Sequence, residues 1–132
     1  MANTAGDIAR LRRELADCRG LLAALGDESR QQLLLAMLSG PCGGCRAVDL
    51  AAQASLSRPA VSRHLNVLRQ AGLVRTRREG ARVYHYLAPD PALLRQLTGL
   101  VLDVQRIAAG APDRSAPQAP AAPPPPRADA VQ

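Results

Sequence analysis

Between residues 7 and 25 the apolar side chains of Ile8, Leu11, Leu15, Cys18, Leu22 and Leu25 recur at alternating steps of three and four, with charged or small residues between them. That period belongs to an amphipathic helix with one narrow buried seam. Gly26 ends it and Asp27 is placed to cap a second helix. Leu33, Leu34, Met37 and Leu38 give this second helix an apolar face that stops near Gly40. The run Gly40-Pro41-Cys42-Gly43-Gly44 cannot extend a helix. A short third helix is expected over residues 46–54, with Val48, Ala51 and Ala52 inward. Ser57 then caps a fourth, whose first turn tolerates Pro59 because the leading amides of a helix have no internal acceptor. Here Val61, Leu65 and Leu68 share one face, Pro59, Arg63, Asn66 and Gln70 fall opposite, and Ser62 lies on the flank.

Past Gly72 the period shortens to that of extended chain. Residues 73–78, a Glu79-Gly80 turn and residues 82–87 predict a hairpin, with Val83, His85 and Leu87 on one face and Tyr84 and Tyr86 on the other. After Pro89 and Pro91, Leu93, Leu97, Leu100, Val104 and Ile107 restore a helical spacing, so a long last helix carries a seam like that of the first. Two such seams at opposite ends of a small domain predict self-association. Beyond Gly110, seven prolines and almost no large apolar side chain leave nothing to offset the entropy of ordering. The expected organisation is a flexible N-terminus over residues 1–6, a folded domain over 7–109 and a disordered Ala/Pro-rich tail over 110–132.

A chain of 132 residues holds one hydrophobic core, and with Phe and Trp absent and Tyr present twice that core must be aliphatic. Asp7, Arg10, Arg12, Arg13 and Glu14 leave no apolar stretch for a secretory signal, and no run spans a bilayer, so a cytoplasmic protein without a membrane partner is expected. The net charge of +6 is local: residues 57–87 hold seven arginines against Glu79 alone, while the ten remaining arginines are matched by ten acids. Excess charge gathered on one segment is the footprint of a polyanion-binding surface.

A short helix, a turn containing Leu56, a capped helix with a basic polar face and a basic hairpin add up to a winged helix-turn-helix, mostly α with a small β-hairpin. The major groove of B-DNA admits one helix, and reading it takes small or hydrogen-bonding side chains flanked by cations. Ser57, Arg58, Pro59, Ser62, Arg63 and Asn66 fit that need, and Arg77, Arg78 and Arg82 of the hairpin reach the adjacent backbone or minor groove. The expected partner is double-stranded operator DNA. An RNA-binding module is the remote alternative, and it lacks aromatic stacking platforms; a membrane-surface helix would want an apolar wedge that the basic face lacks.

The stretches LLAALGDESRQQLLLAML and VDLAAQASLSRPAVSRHLNVLRQAGLVRTRREGARVYHYL resemble the ArsR/SmtB-type winged-helix repressors in order and spacing, over about residues 15–90. Three pieces carry the resemblance: Leu25-Gly26-Asp27-x-x-Arg30, Leu56-Ser57-x-Pro59-x-x-Ser62-x-His64-Leu65, and Gly80 followed by Val83-Tyr84. It implies a homodimer joined by its first and last helices, seated on an operator palindrome and released when an inducer binds.

Cys42 and Cys45 form a Cys-Gly-Gly-Cys turn. In a reducing cytosol such thiols are poor candidates for a structural disulfide. Soft thiolates select Zn(II), Cd(II) or trivalent arsenic and antimony, and sulfurs at i and i+3 can converge on one ion. Cys18 of the partner's first helix would supply a third ligand. The expected inducer is therefore As(III)/Sb(III) or another soft metal ion, with no cofactor required. Redox or reactive-sulfur sensing by Cys42 and Cys45 is the alternative, and Cys18 also suits plain packing on its apolar seam. A dithiol oxidoreductase would want the pair opening a helix after a central strand, and no such strand is predicted, so no enzyme is expected. Relative to the family, the thiols stand one to four residues before the positions 46–48 that match its usual Cys-x-Cys pair. Residues 92–109 offer only Asp103 toward its His/carboxylate site. His64, beside the apolar face, is expected to serve structure or the DNA backbone rather than a metal, and His85 to be a hairpin residue.

Overall fold

The computed structural model describes residues 5–41, 43–111, 113, 115, 117, 120 and 122–124. Their elements run α1 (Ala5–Leu25), α2 (Glu28–Ser39), α3 (Ala47–Ala54), α4 (Arg58–Gln70), β1 (Val74–Glu79), β2 (Arg82–Leu87) and α5 (Pro91–Gly110). The winged helix-turn-helix expected from the sequence is the fold observed.

Local chemistry sets the boundaries. Asp27 accepts the Arg30 N–H at 3.0 Å, Ser57 Oγ the Ala60 N–H at 3.2 Å and Asp90 the Ala92 N–H at 3.0 Å, three side-chain caps of about 1 kcal/mol each. Helix α3 stops where Ser55 turns left-handed (φ 54°) and the Leu56 N–H returns to Ala51 O at 3.1 Å. Helix α4 stops at Gly72 (φ 82°), whose N–H reaches Arg69 O, while the Leu73 N–H reaches Leu68 O at 3.0 Å. A side chain at that φ is strained, and a Cβ there would stand 2.6 Å from Leu93 Cδ1.

The core joins Leu21 and Ala24 of α1, Leu33 and Met37 of α2, Leu50 and Ala51 of α3, Val61, Leu65 and Leu68 of α4, and Cys45, Leu73 and Val74. Each fully buried leucine or valine contributes about 1.5–3 kcal/mol. The α4 triplet is as its period predicts, but other faces turn differently. In α2 the buried pair is Leu33 and Met37, while Leu38 is 65% exposed. Leucine occupies so much of that helix that its own sequence does not select a face. In α3 Ala51 is buried as expected, but its partner in the core is Leu50 and Ala52 is exposed, because the largest apolar side chain wins the inward position. The hairpin turn is Gly80-Ala81: Glu79 pairs with Arg82, and the positive φ (60°) falls on Gly80.

The single buried seam expected of α1 is not observed: of its residues only Cys18 is buried, joined by Leu21 and Ala24 from outside the seam, while Ile8, Leu15 and Leu22, seven residues apart, stay exposed because the buried face is turned toward Leu21 and Ala24. In α5 the seam residue Leu100 is buried and Val104 exposed, with Leu94, Val101 and Leu102 exposed outside the seam. The two helices pack side by side, bridged by Arg10–Asp103 at 3.4 Å and Arg106–Asp7 at 3.6 Å. Among the described residues no helix is long and apolar enough to cross a membrane.

Candidate nucleic-acid interface and thiol loop

Burying Val61, Leu65 and Leu68 rotates the opposite face of α4 outward. Ser57, Arg58, Pro59, Ser62, Arg63 and Asn66 are all exposed, as are Arg77, Arg78 and Arg82 on the hairpin. Ser57 spends its hydroxyl on the helix cap, and Asn66 Oδ1 accepts from Arg69 at 2.8 Å. Arg58 and Arg63 make no ion pair among the described residues, so their charge faces solvent uncompensated.

The wing arginines are not equivalent. Antiparallel pairing sets Arg77 opposite Tyr84; its guanidinium lies 5.1 Å from the ring centroid and its Nε 2.9 Å from Glu79 Oε1. Both contacts hold it along the strand. Arg78, opposite Val83, and Arg82 make no ion pair among the described residues and remain open to an external anion.

Sequence reasoning gave no role to Arg30, although it lies in one of the quoted motifs. Its side chain is 16% exposed. Nε donates to Ala24 O at 2.8 Å, Nη2 to Ala23 O at 3.0 Å, and Nη1 lies 3.3 Å from His64 Nδ1. A guanidinium has no acceptor, so in this contact His64 Nδ1 is the accepting atom. His64 is thereby a structural partner, as its place beside the apolar face suggested.

Cys45 and Cys18 are buried free thiols. Burial pushes the Cys45 thiol up, with Asp49 adding to it, and burial pushes Cys18 up, with Asp17 and Glu14 adding. Both stand protonated at neutral pH, and metals bind the thiolate. Cys45 lies so close to Gly40 that a Cβ there would come 2.7 Å from its Sγ. Cys42 lies outside the described residues. Among those described, no group of three or more His, Cys, Asp or Glu side chains could hold a metal ion, so Cys18 and Cys45 form no such site within one protomer.

What Cys45 does reach is the wing. Its N–H donates to His85 O at 2.8 Å and its carbonyl accepts the His85 N–H at 2.7 Å, an isolated one-residue antiparallel bridge from the thiol loop to β2. Burial, then Arg69, holds His85 below the ordinary histidine value, which keeps it neutral. A groove of about 620 Å³ separates the loop from the wing, with Cys45, Asp49, Arg77, Glu79 and Tyr84 among its lining.

A helix can enter a major groove only if its outward face is polar and nothing covers it. Helix α4 meets both conditions with a basic wing beside it, and this defines the class: a winged-helix DNA-binding regulator. The family of bacterial regulatory proteins of the arsR type matches residues 27–76. The chain belongs to the ArsR family of transcriptional regulators. It is 44% identical over 78 residues to the HTH-type transcriptional regulator CmtR of Mycobacterium tuberculosis, covering 59% of this chain and 63% of CmtR. It is 36% identical over 69 residues to the arsenical resistance operon repressor of Escherichia coli, covering 52% and 57%. The match therefore spans less than two thirds of either relative. Among solved structures, HlyU from Vibrio cholerae superposes with a TM-score of 0.51 at 31% identity, covering 66% of this chain and 91% of HlyU. Relatives of this family are regulators of transcription and not enzymes.

Proposed function

We propose that the chain is a sequence-specific operator-binding repressor that acts in the cytoplasm as a homodimer. The observation that carries this reading is the outward face of α4, where Ser62 and Arg63 stand exposed, together with the exposed Arg78 and Arg82 of the wing, which make no ion pair among the described residues. Arg63, with Ser62 and Asn66, reads base edges, and the wing arginines hold phosphates. The unit that dimerises and binds DNA is residues 7–109, with the tail over 110–132 outside it. Ile8, Leu15 and Leu22 of α1 with Leu94 and Val101 of α5 supply the apolar row through which two copies join. Binding of a palindromic promoter duplex by a dimer of this chain, lost steeply with salt, is the test; a monomer with a flat salt response sinks the reading.

Release is assigned to a thiol-reactive inducer at the Cys42–Cys45 turn. As(III) or Sb(III), or another soft metal ion, is the class favoured by thiolate chemistry, and the E. coli relative is an arsenical resistance repressor. The bridge between Cys45 and His85 supplies the route: whatever draws on that sulfur displaces β2, and the wing with it. A second reading is oxidation or persulfidation of Cys42 and Cys45, two thiols three positions apart in a Gly-rich turn. Buried Cys18 fits packing in its own protomer, and a ligand role requires α1 to shift. Screening the DNA complex with arsenite, antimonite, cadmium, zinc, peroxide and polysulfide separates these readings. Release that survives Cys42→Ser and Cys45→Ser would move the sensor elsewhere.

A further inference from the structure

Arg46 lies outside the arginine-rich segment, yet the fold brings it to that segment's surface. It is the N-cap residue of α3, where its side chain makes no capping bond. Together with Arg58, at the start of α4, and Arg82, at the start of β2, it lines a hollow of about 220 Å³. His85 also borders the hollow, with a buried Nδ1 that has no hydrogen-bond partner among the described residues. No carboxylate lines it. None of the three arginines makes an ion pair among the described residues, so three like charges from three separate elements converge on a hollow that no carboxylate lines; Arg46 also borders the groove beside the thiol loop, where Asp49 and Glu79 stand. Such an arrangement is repulsive until an anion enters.

Two more observations point the same way. Ala47 and Val48, whose amides open α3 and have no acceptor within it, border the same hollow and add the positive end of a helix. Asp49, the acid of that first turn, lines the groove beside the thiol loop instead. The larger cavity beside Arg69 and Arg75, about 750 Å³, differs in holding Asp90 as a counter-charge.

We infer that Arg46, Arg58 and Arg82 together seat one phosphodiester of the DNA backbone where α3, α4 and the wing meet, with Arg46 as a contact beyond the reading helix and hairpin. The inference rests on the DNA-binding reading above. A phosphate held by forked guanidinium donors from three elements fixes how far α4 enters the groove and carries no base preference of its own.

The test uses the full chain with its promoter duplex and a scrambled duplex of equal length over a range of salt. Arg46→Gln should weaken both duplexes by the same factor, roughly tenfold, and lower the slope of log K against log salt by about one per lost contact. Arg46→Lys should restore part of each. In a scan with single neutral methylphosphonates, one backbone position per half-site should weaken the wild type and leave Arg46→Gln unaffected. Unchanged affinity and slope for Arg46→Gln would overturn the inference, as would a loss confined to the promoter duplex or a loss matched by no single phosphate. Should Arg46→Gln lower the thermal midpoint, Arg82→Gln, at an exposed strand end, answers by the same readouts. A wild-type chain that binds neither duplex would overturn the DNA-binding reading itself, a result distinct from a bound wild type indifferent to Arg46.

Discussion

Arg30 Nη1 lies 3.3 Å from His64 Nδ1, and through that guanidinium the reading helix α4 is tied to the last turn of α1, whose Ala23 and Ala24 carbonyls accept from the same side chain. Helix α1 packs along α5 and carries the exposed Ile8, Leu15 and Leu22, so one largely buried cation relates the orientation of α4 to the apolar row proposed as the dimer surface. In the proposed dimer that relation would set the spacing between the two reading heads.

Replacing Arg30 with Met should therefore cost more than a surface cation does. Two carbonyls and an imidazole nitrogen lose their donor, a loss of about 2–3 kcal/mol that urea unfolding will register. His64→Ala should cost about 1 kcal/mol and weaken promoter DNA more than scrambled DNA, since Arg30 keeps its two carbonyls but the helix loses its tether. Equal losses on both duplexes would contradict the tether.

Asp27 makes part of the stability pH-dependent. The Arg30 N–H holds its carboxyl below the ordinary value, outweighing the opposing effect of burial, and the Arg30 charge adds to the lowering. A carboxyl depressed in the folded state contributes stability that is complete above its unfolded pKa and is lost as pH falls through the folded one. The gap in thermal midpoint between wild type and Asp27→Asn should thus be widest near neutrality and close below about pH 4. A gap independent of pH would show that the ionised carboxylate adds nothing beyond the cap.

On DNA, Arg63→Ala should erase sequence preference, while Arg78→Ala weakens all duplexes alike with a smaller salt slope. Arg77→Ala should cost less binding than Arg78→Ala, because Tyr84 and Glu79 already engage its guanidinium. Titrations of the three variants against promoter and scrambled duplexes distinguish the roles.

Raised thiol pKa values at Cys18 and Cys45 follow from burial, and the thiolate is the reactive form. Alkylation of both by iodoacetamide at pH 7.5 should be at least about tenfold slower in the folded protein than in urea. Rapid labelling of Cys45 in the folded state would mean that the loop opens on its own.

Gly40 is the position from which the thiol loop can be disturbed without touching sulfur. An added Cβ would meet Cys45 Sγ at 2.7 Å and Ala36 O at 3.1 Å. Gly40→Ala should destabilise by about 1–3 kcal/mol and, by pushing on Cys45, which bridges to His85, lower DNA affinity. A destabilised variant with unchanged affinity would uncouple the loop from the wing.

The sequence by itself determined α4, its cap and its two faces, since Ser57 and the spacing of Val61, Leu65 and Leu68 are local signals, and a helix that buries those three must turn Ser62 and Arg63 outward. It also determined the order of the elements and the basic segment, and hence the class of protein. Packing decided the rest. Which leucine of α2 goes inward, why Leu50 and not Ala52 enters the core, and why α1 buries Leu21 and Ala24 while Ile8, Leu15 and Leu22 stay in solvent depend on what lies opposite each helix. Arg30 and His64 meet across 34 positions, Arg46 joins Arg58 and Arg82 from three elements, and Cys45 pairs with His85. A period of three or four residues records which side of one helix is apolar, but it holds no record of the distance between side chains carried on different elements, and that distance sets the electrostatics of the site.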